Sequence, residues 1–150
     1  MIAGGVEASL RRLAHYDYWS DTVKRSILLD SKADLVAYGM GEKSIVEIAH
    51  RLRRGETVKD LRNMRGVAYA LGASESAPEV AFGKEVVLLP SFEEVTASNE
   101  KFAWATRIIH IHTNPHNAGA LVQKHGDRAV VVNPPSLPLS EGEMDFVYDL

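Results

Sequence analysis

Two glycine-bearing stretches hold the most chemical potential in the sequence. Gly4-Gly5 and Gly39-Met40-Gly41-Glu42 each stand between an apolar run and a stretch with helical periodicity, so each reads as a strand-to-helix turn. In a parallel sheet both turns lie at the carboxyl ends of the strands, where open α/β sheets bind ligands. Glycine there lets the backbone approach a ligand or adopt positive φ, and the helix N-terminus behind it favours an anion. The same glycines also serve a tight turn with no ligand. Gly4, Gly5, Gly39, Gly41 and Glu42 are therefore the candidate ligand-binding residues. Neither loop has the spacing of a dinucleotide fingerprint or a Walker loop.

Other reactive side chains are less well placed. His110 and His112 would share one face of a strand and could share a zinc with His116. On a helix, at about 3.6 residues per turn, the first pair diverges by about 200°. No nearby carboxylate completes a ligand set, so these histidines read as structural or solvated and no metal site is assigned. Asn114-Pro115-His116-Asn117-Ala118-Gly119 approaches the Asp-x-His-x-x-Gly signature of some cobalamin domains, but Asn114 lacks the carboxylate that tunes the imidazole. His116 reads instead as a helix-start residue. Ser9, Ser20, Ser26 and Ser91 stand in no nucleophile elbow and beside no recognisable base, so no catalytic residue is assigned. Arg11-Arg12 and Arg51 to Arg54 read as solvated helix faces or docking surfaces, and Tyr16, Tyr18 and Trp19 as a packing corner or an interface anchor.

Composition narrows the class. A chain of 150 residues with 45% apolar and 25% charged residues is ordinary for a globular α/β protein. Seventeen basic against 20 acidic residues give a net charge of −3, so nucleic acid is not an expected partner. The cysteine count of 0 removes disulfides, thiolate zinc sites and cysteine-held iron–sulfur clusters. No apolar run approaches the roughly 20 residues that span a bilayer, and no secretory signal opens the chain, so no membrane partner and a cytoplasmic setting are expected.

The elements that must position the two loops follow from periodicity. Ile2-Ala3 reads as the tail of a strand, so the sequence reads as starting inside an element. Val6, Leu10, Leu13 and Tyr16 or Asp17 mark a helical face. Ala33 to Tyr38 is a buried strand, followed by a helix with a Ser44/Glu47 capping box, the stripe Ile45, Ile48, Ala49 and Leu52, and a terminator at Gly55. Val67 to Leu71 is a strand and Gly72 to Glu79 a polar connector. Residues 1–72 thus read as a βαβαβ part and residues 73–150 as a connecting α/β region. In the second part Val86 to Leu89 and Ala129 to Val132 read as strands. Asn99 to His112 fits a helix, with residues 107–112 equally able to alternate as a strand. Ala118 to Lys124 and Ser140 to Leu150 read as short helices.

Longer strings carry a resemblance. Gly4 to Asp21 (Gly-Gly-Val-Glu-Ala-Ser-Leu-Arg-Arg-Leu-Ala-His-Tyr-Asp-Tyr-Trp-Ser-Asp), Ser26 to Leu35, Tyr38 to Glu42, Leu89 to Val95 and Asn133 to Leu139 resemble, in order, the YgiQ-like family of radical SAM iron–sulfur proteins. The resemblance covers essentially the whole chain. It implies a three-part parent: a Rossmann-like region similar to cobalamin-binding domains, a connecting region, and a radical SAM partial barrel. The fold implied is α/β, a mostly parallel sheet with flanking helices whose first strand is truncated. The Cys-x-x-x-Cys-x-x-Cys loop that holds the [4Fe–4S] cluster and S-adenosylmethionine would lie beyond Leu150, so this chain is expected to carry neither cofactor. The cobalt-ligating signature would fall before Met1, which leaves cobalamin unassigned. Gly4, Gly5 and the Gly39 to Glu42 loop match the glycine loops at the ligand edge of the related domains. The implied function is a non-catalytic accessory part of an oxidoreductase, docked on the radical SAM domain of the same polypeptide, capping its barrel and able to hold a ligand. The alternative is an independent Rossmann-like module for cobalamin or a nucleotide. Apolar area around Ile2, Phe146, Val147 and Leu150 is expected to be exposed or to drive self-association.

Overall fold

Short apolar strands buried on both faces build the sheet. The computed structural model describes residues 1–149. The elements run β1 (Ile2–Ala3), α1 (Gly5–Leu10), β2 (His15–Asp17), β3 (Thr22–Lys24), α2 (Ile27–Asp30), β4 (Leu35–Ala37), α3 (Glu42–Arg53), a 3₁₀ turn (Asp60–Asn63) and β5 (Val67–Leu71). They continue with β6 (Val80–Ala81), β7 (Lys84–Glu85), β8 (Val87–Leu88), α4 (Phe92–Ala97), α5 (Asn99–Ile111), β9 (Leu121–His125), β10 (Arg128–Val132) and α6 (Glu141–Tyr148). Six strands form one sheet in the order β1-β4-β5-β10-β9-β8. Because successive strand residues face opposite sides, Val36, Ala68, Ala70, Val130 and Val132 join Ala8, Leu28 and Leu29 on one face. Leu35, Val67, Tyr69 and Val131 join Ile48 of α3 and Leu61 of the 3₁₀ turn on the other.

The α/β class with helices flanking a central sheet is as expected. The strand directions are mixed: β1/β4 and β8/β9 pair parallel, while β4/β5, β5/β10 and β9/β10 pair antiparallel. The unit β4-α3-β5 is therefore not the parallel crossover that a βαβαβ reading requires. Its cause is the connection after α3. Arg51 bonds Glu56, Asn63 and the Asp60 carbonyl, which ties the returning chain to the last turn of α3. With Gly66 at φ 70, β5 then enters beside the end of β4, pairing Ala37 with Val67. The sheet also draws strands from both sides of residue 72, since β10 lies directly beside β5.

Four local expectations change. Residues 121–125 are a strand rather than part of a helix, because Gly126 at φ 65 makes a two-residue hairpin with Asp127 that pairs His125 with Arg128. Residues 107–111 complete α5, so the strand alternative does not apply. Residues 15–24 form the β2/β3 hairpin, and α1 ends at Leu10. Ser44 is not a cap: α3 starts after Gly41, and the buried Ser44 hydroxyl instead meets Ser136 Oγ at 2.8 Å. Capping boxes do close the starts of α4, through Ser91 and Glu94, and α6, through Ser140 and Glu143. Among the described residues no helix is long and apolar enough to cross a membrane.

Candidate functional site at the loop edge of the sheet

The strand registers bring five loops to one edge. The ends of β1, β4 and β10 lie beside the starts of β5 and β9. Gly4-Gly5, Gly39 to Glu42, Arg65-Gly66, the segment 133–136 and the segment 118–120 therefore converge there. The two glycine loops are joined by one hydroxyl: Ser9 Oγ donates to the Gly5 carbonyl at 2.8 Å and accepts from the Gly39 amide at 3.2 Å. Gly5 and Gly39 take φ values of 85 and 74, with open space where a Cβ would stand. Gly4 instead lies close to the sheet, where a Cβ would meet the Ala37 carbonyl at 3.4 Å. Gly41 has φ −89 and caps α3, and Glu42 opens that helix.

Behind the loops stands a group that sequence reasoning missed. The Arg12 guanidinium lies 4.5 Å over the Tyr38 ring, its Nη1 donates to the Ser9 carbonyl, and its Nε is buried with no partner. Burial lowers the Arg12 pKa, and burial raises that of the Tyr38 phenol against the opposing pull of Arg12 and Arg65. The Tyr38 hydroxyl donates to the Asn133 carbonyl. Buried Asn133 in turn donates from Nδ2 to the Arg62 and Met64 carbonyls at 2.8 and 2.6 Å. Arg65 donates to the Pro135 and Pro115 carbonyls. These residues are scattered along the chain and share no local spacing. The one local signal is Asn133-Pro134-Pro135, whose prolines stop the strand before them.

This edge is chemically a clasp. The Ser9 and Tyr38 hydroxyls donate to backbone carbonyls, as does Ser26 to the Arg12 carbonyl at 2.7 Å. Ser20 donates to Asp17 at 2.5 Å, and Ser91 caps α4.

The three histidines are not brought together as a ligand set. His110 is exposed on α5, and His116 is exposed where its amide meets Asn114 Oδ1 at 3.0 Å. His112 ends α5 and accepts from the Gly119 amide through Nδ1 at 2.8 Å, which leaves its proton on Nε2. Burial lowers the His112 pKa, with Lys84 adding to the effect. Among the described residues no cluster of three or more His, Cys, Asp or Glu could hold a metal ion.

Two surfaces stand out. Tyr18 and Trp19 sit edge to face, 5.8 Å apart, at the tip of the β2/β3 hairpin. They are 78% and 89% exposed, an arrangement that leaves no packing corner. A groove of about 780 Å³ runs between α3 and α6, with Ile45, Val46, His50, Leu139, Phe146 and Val147 in its walls. Leu150 lies outside the described residues.

A family described as Radical SAM N-terminal matches residues 1–150, and the chain belongs to that family. Within it the chain is similar to the UPF0313 protein GSU2873 of Geobacter sulfurreducens, at 51% identity over 150 residues, covering 100% of this chain and 24% of that protein. It is similar to the UPF0313 protein RPA0679 of Rhodopseudomonas palustris, at 48% over 164 residues, covering 100% and 24%. It is also similar to the UPF0313 protein YgiQ of Escherichia coli, at 42% over 199 residues, covering 100% and 27%. The chain spans about a quarter of the length of these curated relatives. No solved structure matches it. The cluster that the family name implies is held through cysteine thiolates. With 0 cysteines the chain has no such donor, and its residues do not fit the cluster.

Proposed function

We propose that this chain is a non-catalytic accessory segment of a longer radical SAM iron–sulfur oxidoreductase, acting in a cytoplasmic setting. One observation carries this reading: a radical SAM family matches the chain from end to end, yet the chain has 0 cysteines with which to hold the cluster. Its role is to dock on the cluster-bearing radical SAM domain of the same polypeptide and to cap the barrel mouth, where radical cleavage of S-adenosylmethionine needs a site closed to water. The clasped loop edge gives the cap a fixed shape. Gly4, Gly5, Gly39, Gly41 and Glu42 border the place where a ligand would sit against that edge. [4Fe–4S] and S-adenosylmethionine belong to the parent protein.

The test is cluster reconstitution in the full-length parent with and without residues 1–150. The expected result is unchanged iron content per folded polypeptide, faster loss of the cluster to oxygen, and more cleavage of S-adenosylmethionine without substrate. Iron lost along with the segment, or equal oxygen sensitivity and uncoupled cleavage in both proteins, overturns the reading.

A further inference from the structure

Helix α3 buries one face and leaves a second, apolar face exposed. Ser44 and Ile48, four residues apart, face the sheet and are buried. Ile45, Ala49 and Leu52 repeat at spacings of four and three on a second face and are exposed, with Val46 beside them. Of that face, Ile45 and Val46 line one wall of the 780 Å³ groove, and Leu139, Phe146 and Val147 line the other. Helix α6 has no buried residue and is tied to α3 through the Lys43–Glu143 ion pair. Phe146 on α6 is 59% exposed and Ile45 on α3 is 50% exposed. Two apolar walls thus face each other across a space that neither fills. This is the form of a helix-in-groove site, in which an amphipathic helix sets side chains at spacings of three and four into an apolar channel. The rim carries Glu42, Glu47, His50 and Arg54, both signs of charge, which suits a partner helix with a mixed polar face.

The greater length of the relatives offers a source for such a helix. The family is an N-terminal one, and the matched relatives place about three quarters of their length outside this segment. Helix α6 is the last described element, so polypeptide that continues past it emerges from the groove's own wall. We infer that the α3–α6 groove is the docking seat for an amphipathic helix from the remainder of the same longer polypeptide. This inference rests on the accessory reading and adds the face through which docking occurs.

The test places a photo-reactive side chain in the full-length parent, as Phe146→p-benzoylphenylalanine and, separately, Trp19→p-benzoylphenylalanine, with cross-links mapped by mass spectrometry. The expected result is a cross-link from position 146 to one helical segment beyond residue 150 of the same molecule. Ile45→Asp, at an exposed position that spares folding, should reduce its yield at least fivefold. Cross-links to the remainder from position 19 and none from position 146 overturn the groove and leave the accessory reading standing. Cross-links between two copies, rising with protein concentration, overturn it in favour of self-association. No cross-link to the remainder from either site, with residues 1–150 separating freely after proteolytic cleavage, removes both readings.

Discussion

Ser9 and Gly39, 30 residues apart in sequence, are joined at 3.2 Å by a hydrogen bond from the Gly39 amide to the Ser9 hydroxyl. The same hydroxyl donates to the Gly5 carbonyl, so one short side chain sets the spacing between two loops on neighbouring parallel strands.

That bridge separates glycines that shape a turn from one that does not. Gly39→Ala places a Cβ at φ 74, with no neighbour to clash, and should cost about 1–2 kcal/mol from backbone strain alone. Gly41→Ala, at φ −89 and also in open space, should change stability by less than about 0.5 kcal/mol. Ser9→Ala should cost about 1 kcal/mol for its hydrogen bonds. Urea denaturation of the three variants measures all three values.

Gly66→Ala should be far more damaging. At φ 70 its Cβ would stand 2.1 Å from Ser136 Oγ and 3.0 Å from Ser44 Oγ. A loss above about 2 kcal/mol is expected. In a Ser136→Gly background, which already lacks the Ser44–Ser136 hydrogen bond, Gly66→Ala should lose most of its steric part and keep the roughly 1–2 kcal/mol of the left-handed backbone. Thermal unfolding of the single and double variants separates the two contributions.

Asn133 stitches the strand end to the 3₁₀ turn through two carbonyl contacts at 2.8 and 2.6 Å. Asn133→Ala strands both acceptors and should cost about 2–3 kcal/mol. Tyr38→Phe removes the bond to the Asn133 backbone and should cost about 1 kcal/mol. Equal losses in the two variants, read by chemical denaturation, would contradict this ordering.

His125 makes stability depend on pH. It is buried, stacked 5.5 Å from the Phe92 ring, and neither ring nitrogen has a partner. Burial pushes its pKa down to about 4, while Glu93 and Asp30 pull upward and Arg25 adds to the lowering. Between that value and the ordinary 6.5 the unfolded chain holds the extra proton, so stability is complete above about pH 6.5 and falls as pH drops toward 4, by up to about 1.4 kcal/mol per pH unit. His15 and His112 are lowered in the same direction by burial, so the comparison must be differential. His125→Leu should flatten the stability profile between pH 4 and 6.5 relative to the parent. An unchanged slope would show that His125 does not carry it.

The legible parts of the fold were those written in neighbouring residues. The apolar runs 33–38, 67–71 and 129–132 became β4, β5 and β10, since a buried strand is recorded in its own side chains. Helix α5 and helix α6 fell within the stretches 99–112 and 140–150 that the residue pattern offered as helices. Strand β9 was hidden by Gln123, a polar residue in a buried position. Its amide accepts from the Ala14 amide at 2.8 Å and donates to the Pro90 carbonyl at 2.9 Å, partners 109 and 33 residues away. Strand direction was hidden for a related reason, because the return of β5 depends on what Arg51 bonds after the helix ends. At the candidate site the glycines were visible through their backbone role. The Arg12–Tyr38–Asn133 group was not, since Tyr38 and Asn133 are 95 residues apart.

The strand order has a consequence for synthesis. Strand β5 has β4 on one side, but its other neighbour is β10, which lies late in the chain. At about 5–20 residues per second, the roughly 60 residues between them take about 3–12 s to emerge from a ribosome. During that interval Val67 to Leu71 presents a bare central edge to whatever lies nearby, and β10 closes it. The nascent chain is therefore open to wrong pairing midway through this segment, and the centre of the sheet closes only when residues 128–132 arrive.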